Sequence, residues 1–260
     1  MRNISAIFLR EFRSYFLSPI AYIVTAIFLI ITGYFFYTYL SGFLQYAIIT
    51  SLQATEMRAI PPAINVNQLV IEPLFHNFST VALFMVPMIT MRLLAEEKKT
   101  MSIELLLTSP VTTLQIVLGK FFAGVALLVA MVAPTILYFV VLVNFGEPEI
   151  APIIAGYIGF FLLGTGFVSI GLLISSMTEN QIIAGAVSFG IFLLLWVIGW
   201  VANYVERSIG EILSYMSLIN HYDDFTKGII DTENILFYLS FIGFGLYLTY
   251  RAVESIRWRG

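Results

Sequence analysis

The sequence predicts an all-α integral membrane protein with six transmembrane helices and both termini in the cytoplasm. Three observations carry that prediction. Hydrophobic residues make up 59% of the 260-residue chain and charged residues 11%, where soluble domains are about 25% charged. The apolar residues gather into six runs, each close to the roughly 20 residues a helix needs to cross the hydrocarbon core. The interiors of those runs hold no Asp, Glu, Lys, Arg or His; His76, Arg92 and Lys120 fall near their ends.

Along the chain, residues 1–18 come first. Ile4, Ile7, Phe8, Phe12, Tyr15 and Phe16 share one broad helical face, and Arg2, Arg10 and Arg13 lie away from it. This is the pattern of a helix lying in the membrane interface. Glu11 falls inside the apolar face, so either the helix is tilted, or the face meets protein and Glu11 has a partner there, or Glu11 is solvated near the rim. The spans are predicted at 19–40, 75–94, 114–143, 150–176, 182–204 and 235–250. Pro19 suits a first helical position. The third span is long enough to tilt, and Pro134 is expected to kink it. The second span's start is set near His76 and Asn77. The fourth span is rich in Gly and Ser, which reads as close helix packing.

Ten of the 13 basic residues fall in segments that share one side if the N-terminus is cytoplasmic. They are Arg2, Arg10, Arg13, Arg92, Lys98, Lys99, Lys120, Arg251, Arg257 and Arg259. Arg58, Arg207 and Lys227 fall on the other side. The positive-inside bias therefore sets the orientation. Tyr34, Tyr37, Tyr39, Trp196, Trp200 and Tyr204 then form an outer aromatic belt. Arg10 and Arg13 precede a run too long for a signal peptide and without a small-x-small cleavage site, so the first span is expected to remain as an anchor.

The composition excludes several functions. The chain has no cysteine, hence no disulfide, thiol catalysis or Cys-ligated metal. No HExxH or G-x-S-x-G is present. "LGKFF" (118–122) is not a phosphate loop: Leu114 stands where a glycine is needed and Phe121 where Ser or Thr is needed. The chain has no ATP site of its own, and Lys120 reads as a residue snorkelling to the inner interface. Without ionisable groups at mid-membrane, an ion-driven transporter is disfavoured.

The densest charge lies in "RLLAEEKKTMSIELLLTSP" (92–110). Four adjacent charges in lipid would cost on the order of 10 kcal/mol, so the segment belongs in water beside the membrane. A helix over 96–108 is expected, with Glu96 and Glu97 favourable at its start and Met101 and Leu105 lining one side. Ser109 and Pro110 end it. Glu96, Glu97, Lys98, Lys99, Met101, Glu104 and Leu105 then form a docking surface. In the acidic stretch 205–234, Ile209, Ile212, Leu213 and Met216 recur at helical spacing, as in short helices at the outer interface. His221, Asp223 and Asp224 there read either as loop hydrogen-bonding groups or as a cation site. The long outer segment 41–74 is a candidate surface for an extracytoplasmic partner.

"RLLAEEKKTMSIELLLTSPVTTLQIVLGKFFA" resembles the cytoplasmic segment of ABC-2 type permeases, closest to their gliding-motility and nitrous-oxide-accessory groups. "LREFRSYFLSPIAYIV" is similar to that family's interfacial helix and first span, and "NHYDDFTKGIIDTENILFYL" to its segment before the last span. The resemblance covers nearly the whole chain and implies a single ABC-2 type transmembrane domain, 1–260, in a bacterial inner membrane. It implies an exporter permease, not itself an enzyme, paired with a second permease copy or paralogue and energised by a separate cytoplasmic ATPase that carries ATP and Mg. No cofactor on this chain and no nucleic acid are implied. The charged stretch would be the coupling helix seated in the ATPase. The stretch 205–234 would be a re-entrant outer gate. The alternative is an anchoring subunit that does mechanical work on an extracytoplasmic partner and moves no substrate. A membrane enzyme built on His221 and its acidic neighbours is a third reading. The family usually has Gly-Thr where this chain has Met101 and Ser102, which weighs against a tight turn at that point.

Overall fold

The structure is a computed structural model that describes residues 2–57, 60, 64–102, 110–202 and 204–257. Its described residues form helices and no strand. The helices are α1 (Arg2–Leu17), α2 (Pro19–Glu56), α3 (Glu72–Thr90), α4 (Ala95–Lys99), α5 (Thr113–Val132), α6 (Ile136–Phe145), α7 (Ile150–Met177), α8 (Gln181–Ala202), α9 (Arg207–Met216), α10 (Leu218–Thr226) and α11 (Thr232–Arg257). Six helical stretches among the described residues are long and apolar enough to cross a membrane. The chain is an all-α, six-span, multi-pass membrane protein.

The local chemistry of the sequence accounts for most of the helix ends. Ser18 caps α2, its Oγ accepting from the Ile20 N–H at 3.4 Å, and Pro19 takes the first turn, where its missing N–H costs nothing. Thr112 and Gln115 form a reciprocal capping box at the start of α5. Around Pro134, the third span passes through a 3-10 turn (Ala133–Thr135) that separates α5 from α6, which is the expected kink.

Two helices run beyond the predicted spans. The first span is predicted at 19–40, and the helix that carries it, α2, runs unbroken for 38 residues to Glu56. The stretch 41–56 contains no proline, and its one glycine, Gly42, is not enough to stop the helix. At about 1.5 Å per residue, α2 is roughly 57 Å long, against a hydrocarbon core of roughly 30 Å. The second span begins before 75, in a π-helical turn (Asn67–Ile71) that leads directly into α3. His76 and Asn77 lie inside that helix, and Asn77 Nδ2 is satisfied by the Pro73 carbonyl at 3.0 Å and by the Tyr39 hydroxyl.

α7 is the central element, with α3, α5, α8, α10 and α11 packed around it. Its small residues make that possible. A Cβ added at Gly171 would sit 2.2 Å from Thr90 Oγ1, so α3 and α7 touch backbone to side chain there. The core fills with aromatic rings: Phe75, Phe78, Phe160 and Phe167 are fully buried. One end of the bundle gathers α1, α4, the start of α5 and the ends of α7 and α11. The opposite end gathers the far half of α2, the start of α7, α9 and α10.

Candidate functional site: a braced charged segment

The charged stretch folds as a short helix held from behind. α4 covers only Ala95–Lys99, so the single helix expected over 96–108 is interrupted. The interruption is Met101, whose φ of 55° is left-handed. The tight turn disfavoured on sequence grounds is therefore present, built with methionine in a conformation that usually favours glycine. Glu104 and Leu105 lie outside the described residues.

The N-terminus of α4 lacks a local side-chain cap. Ser175, near the end of α7, supplies one across the fold. Its Oγ accepts from the N–H groups of Leu94 and Ala95, each at 3.0 Å, and donates to the Met91 carbonyl at 3.1 Å. Two of the donors orphaned at a helix start are thereby satisfied. Lys98 Nζ donates to the Ser176 carbonyl. That places a cation at the negative end of the α7 dipole.

Glu97 points the other way, into a four-residue ion cluster. Lys120 Nζ lies 3.0 Å from Glu97 Oε2 and 3.2 Å from Glu11 Oε1. Arg10 Nη2 donates to Glu97 Oε1 and to Glu11 Oε1, each at 2.6 Å. Two cations and two carboxylates thus join α1, α4 and α5. The Lys120 side chain is 0% exposed, while Glu11 and Glu97 retain 16% and 15% exposure. Lys120 is therefore not snorkelling to water; its charge is compensated by two carboxylates inside protein. Gly119 lets this happen, since a Cβ there would lie 2.7 Å from Ile7 Cγ2. The "GK" pair is a close-packing glycine followed by an ion-pairing lysine. Burial disfavours the charged form of Glu11, but Lys120 and Arg10 outweigh it and hold the carboxyl below the usual glutamate range. Burial likewise opposes the charge on Arg10, and its bonds to Glu11 and Glu97 more than offset it, so its pKa is raised.

Glu11 was the sequence's signal for this cluster, and it has the protein partners that one reading required. The same helix is fixed at two further points. The Tyr15 hydroxyl donates to the Ile89 carbonyl at 3.0 Å, and the Arg92 guanidinium lies 4.5 Å above the Tyr15 ring. Asn3 Nδ2 donates to Gln115 Oε1 at 3.2 Å. Arg13, Glu96, Lys99 and Met101 face outward and are exposed. The charged segment therefore divides into an inward set, Glu97 and Lys98, and an outward set.

At the opposite end, His221, Asp223 and Asp224 do not converge. His221 Nδ1 meets Asn234 Oδ1 at 2.6 Å and its Nε2 meets the Tyr215 carbonyl at 2.8 Å. Asp224 Oδ2 accepts from Asn234 Nδ2 at 2.8 Å. Asp223 turns toward α3, with Oδ1 3.8 Å from His76 Nε2. Burial is the main influence on Asp223 and raises its pKa despite the nearby His76 and Lys227. Among the described residues no cluster of His, Asp and Glu is arranged to hold a metal. The geometry is that of two separate contacts between short helices and spans: a hydrogen-bonded set of His221, Asn234 and Asp224, and a looser approach of Asp223 to His76.

The fold and its charged end define a class: a six-span membrane subunit whose charged segment is braced to an amphipathic helix and two spans. The family model described as "ABC-2 family transporter protein" matches residues 5–249, and the chain belongs to that family. It is thus a membrane permease subunit of an ABC transporter, a class of subunit that generally is not itself an enzyme, and membership implies partnership with an ABC ATPase subunit. No curated protein matches the chain.

Proposed function

We propose that this chain is the permease of an ATP-driven exporter in a bacterial inner membrane, with the α1 and α4 end in the cytoplasm. A separate ATPase supplies the energy, and two permease chains assemble with two ATPase subunits. The orientation rests on the basic residues gathered at that end. The coupling role rests on one observation: α4 is exposed on one side through Glu96 and Lys99 and tied on the other through Glu97 and Lys98. A push on the outward face passes through Ser175 and Ser176 to α7, and through Lys120 to α5 and α1. Rigid elements sharing ion pairs of this kind move together.

Charge reversal at the outward positions tests this. Glu96→Lys and Lys99→Glu are expected to abolish co-purification of the ATPase while leaving the permease folded and inserted. Unchanged co-purification with both variants would refute the assignment of α4.

The anchoring reading is favoured by a different observation, the long extension of α2 past the bilayer. In it, the complex works on an extracytoplasmic partner and translocates nothing. Transport by vesicles holding the complete complex separates the two.

A further inference from the structure

At the end of the bundle that carries α1, a crevice of about 730 Å3 opens between the start of α5 and the last turns of α11. On α11 it is lined by Gly243, Tyr247, Tyr250, Glu254 and Arg257. Their spacing alternates between four and three residues, so they form one stripe along the helix. The facing wall on α5 includes Thr113 and Val117. The crevice is apolar in its depth and charged only at its mouth. From Gly243 to Arg257 the stripe is roughly 21 Å long, somewhat more than the roughly 15 Å of one leaflet's hydrocarbon. Its charged end therefore reaches the headgroup level while its deep end lies near mid-membrane. A Cβ at Gly243 would meet nothing within 4 Å, so the deep end is open.

The mouth carries one charge of each sign. Thr113 Oγ1 donates to Glu254 Oε2 at 2.5 Å, which fixes the carboxylate in place without neutralising it. Among the described residues, neither Glu254 nor Arg257 forms an ion pair. They stand three residues apart on one helix face. We propose that this crevice binds one phospholipid with an ethanolamine headgroup. Its ammonium sits on Glu254, its phosphate on Arg257, and an acyl chain lies along Val117, Leu246 and Gly243. A primary ammonium donates charge-assisted hydrogen bonds to a carboxylate; a choline, fully methylated, has no N–H to donate. A phosphatidylglycerol headgroup carries a net negative charge that Glu254 repels. The assignment does not depend on which end of the chain faces the cytoplasm.

Native mass spectrometry of the purified full chain tests it, with phosphatidylethanolamine, phosphatidylcholine or phosphatidylglycerol of matched acyl chains added in turn. The wild type is expected to retain one phosphatidylethanolamine in preference to either of the others by about fivefold. Glu254→Gln keeps an acceptor for Thr113 but removes the charge, and is expected to abolish the preference over phosphatidylglycerol. Gly243→Phe fills the deep end and is expected to lose the bound lipid altogether. Should Gly243→Phe not fold, Glu254→Gln carries the test alone. Equal retention of the three lipids, preference for phosphatidylglycerol, retention of none, or an unchanged preference in Glu254→Gln would each overturn the proposal.

Discussion

Replacing Lys120 with methionine keeps the length of the side chain but removes one cation from the cluster that joins α1, α4 and α5. Breaking a fully buried ion pair by removing one partner costs roughly 3–5 kcal/mol. Here the loss is smaller, because Glu11 and Glu97 keep partial solvent access and both remain bonded to Arg10. An expected loss of about 2 kcal/mol follows once that screening is allowed for. For a chain of this size, this lowers the unfolding midpoint by about 4–8 °C. The decisive measurement is a double-mutant cycle with Glu97→Gln, read by reversible unfolding in mixed micelles. If Lys120 and Glu97 act on each other, the double variant loses less than the sum of the singles, by about 1 kcal/mol or more. Additivity within about 0.5 kcal/mol would refute the ion-pair account. Acid adds a second readout. The Glu11 pKa is lowered on folding, so its stabilisation is present above the ordinary glutamate range and is lost as pH falls through the lowered value. In Lys120→Met that loss is expected at higher pH than in the wild type.

Three further outcomes are expected. Met101→Gly relieves a left-handed methionine and should stabilise the chain by about 0.5–1 kcal/mol, while a β-branched Met101→Val should lower the unfolding midpoint. Ser175→Ala leaves the Leu94 and Ala95 N–H groups without their cap, costing about 1–3 kcal/mol, and hydrogen exchange at those two amides should rise. The Asp223 pKa is raised on folding, so its contribution is fully present below the ordinary aspartate range and is lost as pH rises through the raised value. Asp223→Asn should therefore flatten the pH dependence of the unfolding midpoint above about pH 4 and leave the protein no less stable at neutral pH.

The spans were legible because hydrophobic runs respond to a single physical demand, the thickness of the bilayer. Where a helix leaves the bilayer that demand ends, and so does the signal. The stretch 41–56 is more polar than 19–40, with Gln45, Gln53 and Glu56, so the hydrophobic run ends where the helix does not; the absence of a stop signal between Gly42 and Glu56 is what lets α2 continue. The kink at Pro134 was legible because proline acts locally. The ion cluster was only half legible. Glu11 stood out as a charge on an apolar face, but Lys120 read as a snorkelling residue because its partners lie more than 20 residues away in sequence. Ser175 was invisible for the same reason: a serine in a Gly- and Ser-rich span looks like packing, and only the fold brings it beneath α4. Of the two readings of His221, Asp223 and Asp224, the hydrogen-bonding one matches the side chains; residue types alone did not separate it from a cation site because they do not reveal side-chain direction. Asp223 turns to α3, while His221 and Asp224 meet through Asn234 on α11.

α2 starts one residue after α1 ends, with only Ser18 between them. It then continues as a single rod of about 57 Å. Its first half packs against α3 and α5, so a tilt of α2 goes with those spans and is largest at the far end. Each 5° of tilt at the Ser18 end swings the Glu56 end by roughly 5 Å, about one helical turn. Ångström-scale movements around Arg10 and Lys120 would be magnified at the far tip, and shortening α2 by whole turns would reduce that reach in proportion while leaving the ion cluster untouched.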